Sequence, residues 1–132
     1  MEIRSIKFRG KNRSTGKWFY GNLNAKDIFG HTCICTSDRG YLDIDPETIG
    51  QFSGLYDCDN KEIFEGDILK WSNGRLYVIK FWQGMFYASV EECNEGILGG
   101  FPLHALTEHE NGKCEIVGNI YDNTELLKGG DR

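Results

Sequence analysis

From residue 49 onward the chain is a succession of short apolar runs, each stopped within a few residues by a turn-forming cluster. IGQFSGLYD gives way to DCDNK, and KEIFEGDILKW is interrupted at Glu65-Gly66-Asp67. SNGR and Gln83-Gly84 then set off RLYVIKFW and MFYASV, and EHENGK divides FPLHALT from CEIVGNIYD. Runs this short and this regularly broken read as strands of a small barrel or sandwich. Composition agrees: there are 17 Gly and 13% aromatics, while Ala occurs only at 25, 88 and 105. That balance favours strands and tight turns over helices. FPLHALT is expected to form a short strand, and the Asn111-Gly112 pair after it is of hairpin type. EECNEGILGG reads as a Gly-rich loop, and TELL near the end has the length of one helical turn.

The N-terminal third has its own pattern. In IKFRGK, Ile6 and Phe8 alternate with Lys7 and Arg9, which puts apolar groups on one face and cations on the other. Asn12 to Gly16 is turn chemistry, and Lys17 to Leu23 returns as the second strand of a hairpin. In YLDIDPETIG, Pro46 argues against a continuous central strand and for a short strand running into a turn. The expected fold is therefore all-β. A partly open barrel of SH3-like size over about residues 50–122 follows an N-terminal β-hairpin subdomain. The 132 residues are expected to form one domain, with a subdivision into 1–48 and 49–132.

Bulk properties exclude some functions. MEIRSIKFRGK has no uninterrupted apolar stretch, so it does not read as a signal peptide, and no run approaches the roughly 20 apolar residues of a membrane helix. Five cysteines at irregular spacing, in a chain large enough to fold without bridges, point to reduced thiols and a cytoplasmic location. Residues 1–20 carry six cations against Glu2, a local +5, which leaves −10 for the remainder of a chain whose total is −5. Such a body is a poor non-specific DNA binder, whereas the basic arm suits a specific nucleic-acid contact or self-association.

The densest polar cluster holds Asp57, Asp59, Glu62, Glu65 and Asp67 within eleven positions. A calcium loop fails there. Counted from Asp57, position five is Lys61, position six is Glu62 instead of Gly, and position twelve is Ile68. A two-metal centre would need converging carboxylates with a base or basic groove beside them, and none is placed nearby by sequence. The structural alternative accounts for more residues. Asp57, Asp59 and Asn60 bond nearby backbone N–H groups in a tight turn, Gly66 supplies an unusual φ, and Asp67 accepts N–H groups as ILKW begins. No catalytic residue, metal site or cofactor is assigned here.

GQFSGLYDCDNKEIFEGDILKW, with IKFRGKNRSTGKWFYGNL before it and CEIVGNIYDNTELL after it, resembles the YopX family of phage and prophage proteins. The three blocks keep the family's order and spacing, and the middle one follows its T-G-L-x-D-x-x-x-K-x-I-[YF]-E-G-D-I pattern. Ser53 replaces the usual Thr, Gly10 stands where a bulky residue is common, and Thr124 where Pro is frequent. The resemblance implies a small, largely β protein encoded by bacteriophages or integrated prophages of mainly Gram-positive bacteria. It brings no catalytic residues with it.

Two further groups carry candidate chemistry. His31, Cys33 and Cys35 alternate, so in a strand they would share one face; with a fourth ligand from Cys58, Cys93, Cys114, His104 or His109 they could hold zinc. Small strand residues with no metal explain them as well. Lys7, Arg9, Lys11, Arg13 and Lys17 lie beside Trp18 and Tyr20, the combination of cations and aromatics that binds single-stranded nucleic acid. The same cations could instead be the solvated face of an edge strand, or dock on the acidic body of a second copy. The sequence thus favours a non-enzymatic accessory protein that binds a phage or host protein and forms a homo-oligomer. A nucleic-acid-binding protein using the basic hairpin is the alternative, and a metal-dependent enzyme at 57–67 the third reading.

Overall fold

The computed structural model describes residues 5–24, 30–90 and 99–127. The chain divides into two compact units, Met1–Gly54 and Leu55–Arg132.

The first unit is an antiparallel sheet in the order β4-β3-β2-β1-β5. Its strands are β1 (Phe8–Lys11), β2 (Trp18–Asn24), β3 (Cys33–Thr36), β4 (Gly40–Asp43) and β5 (Asp45–Tyr56). The β1–β2 hairpin forms because Asn12 organises its turn: Asn12 Oδ1 accepts the N–H groups of Ser14 (3.0 Å) and Thr15 (2.9 Å). This fixes the register at Arg9 opposite Tyr20 and Lys11 opposite Trp18. Pro46, expected to break the chain's extension, lies inside β5. The pairing with β1 jumps there, from Arg9 opposite Gly50 to Lys11 opposite Asp45. Thr48 Oγ1 fills the gap, accepting the Lys11 N–H at 2.8 Å and donating to the Asp45 carbonyl at 2.6 Å. A proline without an N–H fits where the ladder is interrupted.

In the second unit β6 (Glu62–Phe64) hydrogen-bonds β5, whose last two residues already belong to this unit. A five-stranded antiparallel sheet follows in the order β10-β9-β8-β7-β11. Its strands are β7 (Asp67–Trp71), β8 (Leu76–Trp82), β9 (Met85–Ser89), β10 (Gly100–Pro102) and β11 (Cys114–Asn119). The all-β class holds, but the strands form open sheets and do not close into a barrel.

FPLHALT is not a strand throughout. Phe101 and Pro102 end β10, and Leu103–Thr107 forms the short helix α1. Pro102 precedes the helix, and Leu103 and Leu106, one turn apart, are both buried. They join Ile63, Leu69, Tyr77, Ile79, Ala88 and Cys114 in the core of this unit. Because a helix precedes it, Asn111-Gly112 does not turn a hairpin; Gly112 instead lets the chain pass close to Trp71, where a Cβ would lie 2.1 Å from the indole Cζ2. TELL forms a single 3-10 turn at Thr124–Leu126. Among the described residues no helix is long and apolar enough to cross a membrane.

Candidate functional site

The acidic stretch works on backbone. Asp57 is 5% exposed, and its Oδ1 accepts the N–H groups of Asp59 and Lys61, both at 2.9 Å. Oδ2 accepts the N–H of Ile116 at 3.0 Å, 59 residues further along the chain. The Cys58 N–H donates to the Cys114 carbonyl at 2.9 Å. Strand β11 is the last strand of its sheet, so these two bonds occupy backbone groups on its open side. Asn60 completes the turn in the left-handed region (φ 62°), and Asp59 is exposed.

Asp67, also buried, reaches back across the turn that precedes its strand. Its Oδ2 accepts the Phe64 N–H at 2.8 Å and closes the Glu65-Gly66 turn from inside. Gly66 holds φ 96°, donates its N–H to the Ile79 carbonyl and accepts the N–H of Ile120. Among the described residues no three His, Cys, Asp or Glu side chains group to hold a metal ion.

Among the described residues the cysteine and histidine candidates form no group that could hold a metal ion. Cys33 is buried with its Sγ 3.9 Å from the His31 carbonyl, Cys35 is half-buried, and His31 is exposed. His104, His109, Cys58 and Cys114 belong to the second unit, and Cys93 lies outside the described residues. Burial pushes the Cys114 thiol up to about 11, with the Asp57 carboxylate and Cys58 adding to it. The Cys58 thiol is also raised, by desolvation first, then by the carboxylates of Asp59, Asp57 and Glu115 against an opposing Lys113. Both thiols are therefore protonated at neutral pH, which makes them poor nucleophiles.

The basic hairpin does not fit the edge-strand alternative. Strand β1 is not at an edge; it lies between β2 and β5. Its cations are not simply solvated either. Arg9 is 6% exposed and its guanidinium sits 4.8 Å from the Trp18 ring centroid. The Lys11 ammonium lies 5.9 Å from the same ring, and Lys7 stands 5.5 Å from Phe52. Cations and aromatics thus share one face as cation–π pairs. Tyr20, opposite Arg9, remains 47% exposed. Lys17 is exposed, and Arg13 makes a long surface contact with Asp45 at 4.0 Å.

Two aromatic features escaped the sequence reading. The first is the tip of the β8–β9 hairpin. Gln83 (φ 50°) and Gly84 (φ 79°) form its two-residue turn, the backbone handedness that matches strand twist. Around it Phe81 is 53% exposed, Trp82 36% and Met85 37%. Cross-strand packing holds these rings: Phe81 on Phe86 at 5.1 Å, Trp82 on Tyr87 at 5.1 Å. Consecutive aromatics beside a turn are the signal that could have shown this patch, because a strand with one wet face should have alternated. The second feature is a surface cavity of about 310 Å³ whose walls include Trp71, Tyr77, Phe101 and Leu106. Those residues come from four elements, β7, β8, β10 and α1, so no spacing rule announces them.

No curated protein matches this chain. The family model described as "YopX protein" matches residues 7–128. That span takes in the hairpin, the Asp57 turn and strand β11, and the chain belongs to the YopX family.

Proposed function

We propose that this YopX-family chain is a non-enzymatic accessory protein of a bacteriophage or prophage. It acts in the bacterial cytoplasm as a protein-interaction module, binding a phage or host protein and associating with itself. The observation that carries the reading is the exposed tip of the β8–β9 hairpin, with Phe81, Trp82 and Met85 projecting around a two-residue turn. Trp, Phe and Met are enriched in the buried centres of protein interfaces. Rings already packed on Phe86 and Tyr87 lose little freedom on docking. Family membership supports the phage origin. The engagement of Asp57 and Asp67 by backbone N–H groups supports the non-enzymatic part, since acids so used are poorly placed for acid–base work.

The test is sedimentation equilibrium together with affinity capture from infected or lysogenic cells, comparing the chain with a Phe81→Ser, Trp82→Ser double variant. Both side chains stand outside the core, so the fold survives the change. The expected result is loss of self-association and of the captured partner by at least about tenfold, the scale of a hot-spot residue. Unchanged behaviour of the variant would remove the hairpin from the account.

One observation favours a second reading. Tyr20 presents an exposed ring within the row of Lys7, Arg9, Lys11 and Trp18, as a base-stacking surface beside phosphate-neutralising cations would. It predicts binding of single-stranded DNA or RNA at low salt that weakens steeply as salt rises and vanishes when Lys7 and Lys11 become Glu. A gel-shift series without retardation at low salt ends it.

A further inference from the structure

One face of the first unit's sheet carries a ring that has no part in the hairpin. Residues directly opposite each other on antiparallel strands share a face, as do alternate residues of one strand. Cys35 stands opposite Asn22 on one side and Tyr41 on the other, and Asn22 alternates with Tyr20 along β2. Tyr20 and Tyr41 therefore share the face of Arg9 and Lys11, which pair with Tyr20 and Trp18. The opposite face carries the core: Ile34 lies between Leu23 and Leu42 and is fully buried. Tyr41 is 66% exposed, more than Phe81 at the β8–β9 tip, so its ring does little for the fold.

Two open rings on a sheet, beside a row of cations, select a ligand by flatness and by charge. Strands about 4.8 Å apart and residues about 3.4 Å apart put the Cα atoms of Tyr20 and Tyr41 about 12 Å from each other. Bases in a duplex follow one another at about 3.4 Å and hide their faces, so a duplex has nothing to lay on these rings. A single strand with splayed bases does. An acidic peptide answers the cations but not the rings, and a neutral ligand leaves the cations idle. Charge also sets the direction. Asp43 is exposed on the face of Tyr41, two residues along β4, and repels phosphate from that side. The ligand's backbone then follows Lys7 and Lys11, and its bases reach across β2 toward β4. Arg9 stays out of phosphate contact; 6% exposed and 4.8 Å from the Trp18 centroid, it is a positioning residue for the indole. On the nucleic-acid reading of the basic hairpin, on which this rests, we propose that Tyr20 and Tyr41 stack two splayed bases of a single strand whose phosphates lie on Lys7 and Lys11.

The experiment is a nitrogen–proton NMR titration of the whole chain with hexauridylate and with hexathymidylate, at about 50 mM salt. Inorganic tripolyphosphate, a blunt DNA duplex and capped hexaglutamate are the controls. The expected result is a saturable shift of the Tyr20, Asn22, Cys35 and Tyr41 amides with a Kd of about 0.1 mM, each control binding at least about tenfold more weakly. Saturable binding of either strand supports the site, and the tighter of the two identifies the sugar, since only RNA carries the 2′-hydroxyl. Tyr41→Ala removes one ring outside the core and should weaken binding about tenfold, whereas Tyr41→Phe should stay within about twofold. Three outcomes overturn the proposal: no shift at these amides up to about 5 mM strand, equal binding of any control, or full affinity in Tyr41→Ala. If the strands bind, lose hold in a Lys7→Glu, Lys11→Glu variant and ignore Tyr41→Ala, the two-ring site falls alone and the nucleic-acid reading stands. Absence of any binding at low salt ends both.

Discussion

Asp57→Ala is the substitution that best separates a carboxylate serving backbone from one serving chemistry. The side chain is almost fully buried and accepts three N–H groups, from Asp59, Lys61 and Ile116. A hydrogen bond to a charged acceptor contributes about 1.5–3 kcal/mol net, but three bonds to one carboxylate do not add. The Asp59 and Lys61 residues are exposed, so water replaces much of what their amides lose. The Ile116 amide is in a part-buried position on β11 and has less recourse to solvent. The expected cost of Asp57→Ala is therefore about 3–4 kcal/mol. Asp57→Asn retains one oxygen for the turn but offers an NH₂ where the other oxygen stood, and should cost about 2 kcal/mol. Asp59→Ala, at an exposed neighbour in the same acidic run, should stay within about 0.5 kcal/mol. Urea unfolding followed by tryptophan fluorescence ranks the three, and amide exchange at 61 and 116 locates the loss. An Asp57→Ala protein that unfolds within about 1 kcal/mol of the parent, or is more stable than it, would refute the reasoning. Stabilisation is what removal of a strained functional carboxylate produces.

Other consequences concern the second unit. Gln83→Asn puts the preferred Asn-Gly pair into a turn whose first residue already has φ 50°, and should raise stability by about 0.5 kcal/mol in the same urea assay. Gly112→Ala drives a methyl group into the Trp71 indole and should cost about 1–3 kcal/mol while shifting the Trp71 resonances. The Cys114 thiol, held at about 11 against an ordinary 9.0, stays protonated in the native state where the unfolded chain ionises. The native state then binds more protons, so stability falls as pH rises through 9 and levels off near 11. The loss between about pH 8 and about pH 10.5 is about 2 kcal/mol. Cys114→Ala should flatten that part of the stability profile, which denaturation at paired pH values checks.

What the sequence made legible was local. The Asn12 turn, the Gln83-Gly84 hairpin and the strand Leu76–Trp82 each follow from residues within a few positions of one another. FPLHALT misled because two periods fit it: Phe101, Leu103 and Ala105 alternate, while Leu103 and Leu106 are one helical turn apart. Pro102 decided the matter by opening the helix. Lys7 and Arg9 showed their alternation, yet whether β1 borders solvent depends on β5, which arrives over thirty residues later. The reach of Asp57 to Ile116 is longer still, and nothing near either residue encodes it. The surface cavity has the same character, since Trp71, Tyr77 and Phe101 meet only when β7, β8 and β10 are all in place.

The bond from Asp57 to Ile116 also orders events during synthesis. When the ribosome has delivered residues 55–90, the turn acid and most of the sheet have emerged, but the strand that completes both is still in the exit tunnel or unmade. Until residue 116 is released, the nascent second unit carries a carboxylate missing one of its three partners and a β7 flank open to any passing strand. Its final seal thus comes from a strand made after the sheet it closes, and a chain cut short before β11 would be left adhesive instead of merely shorter.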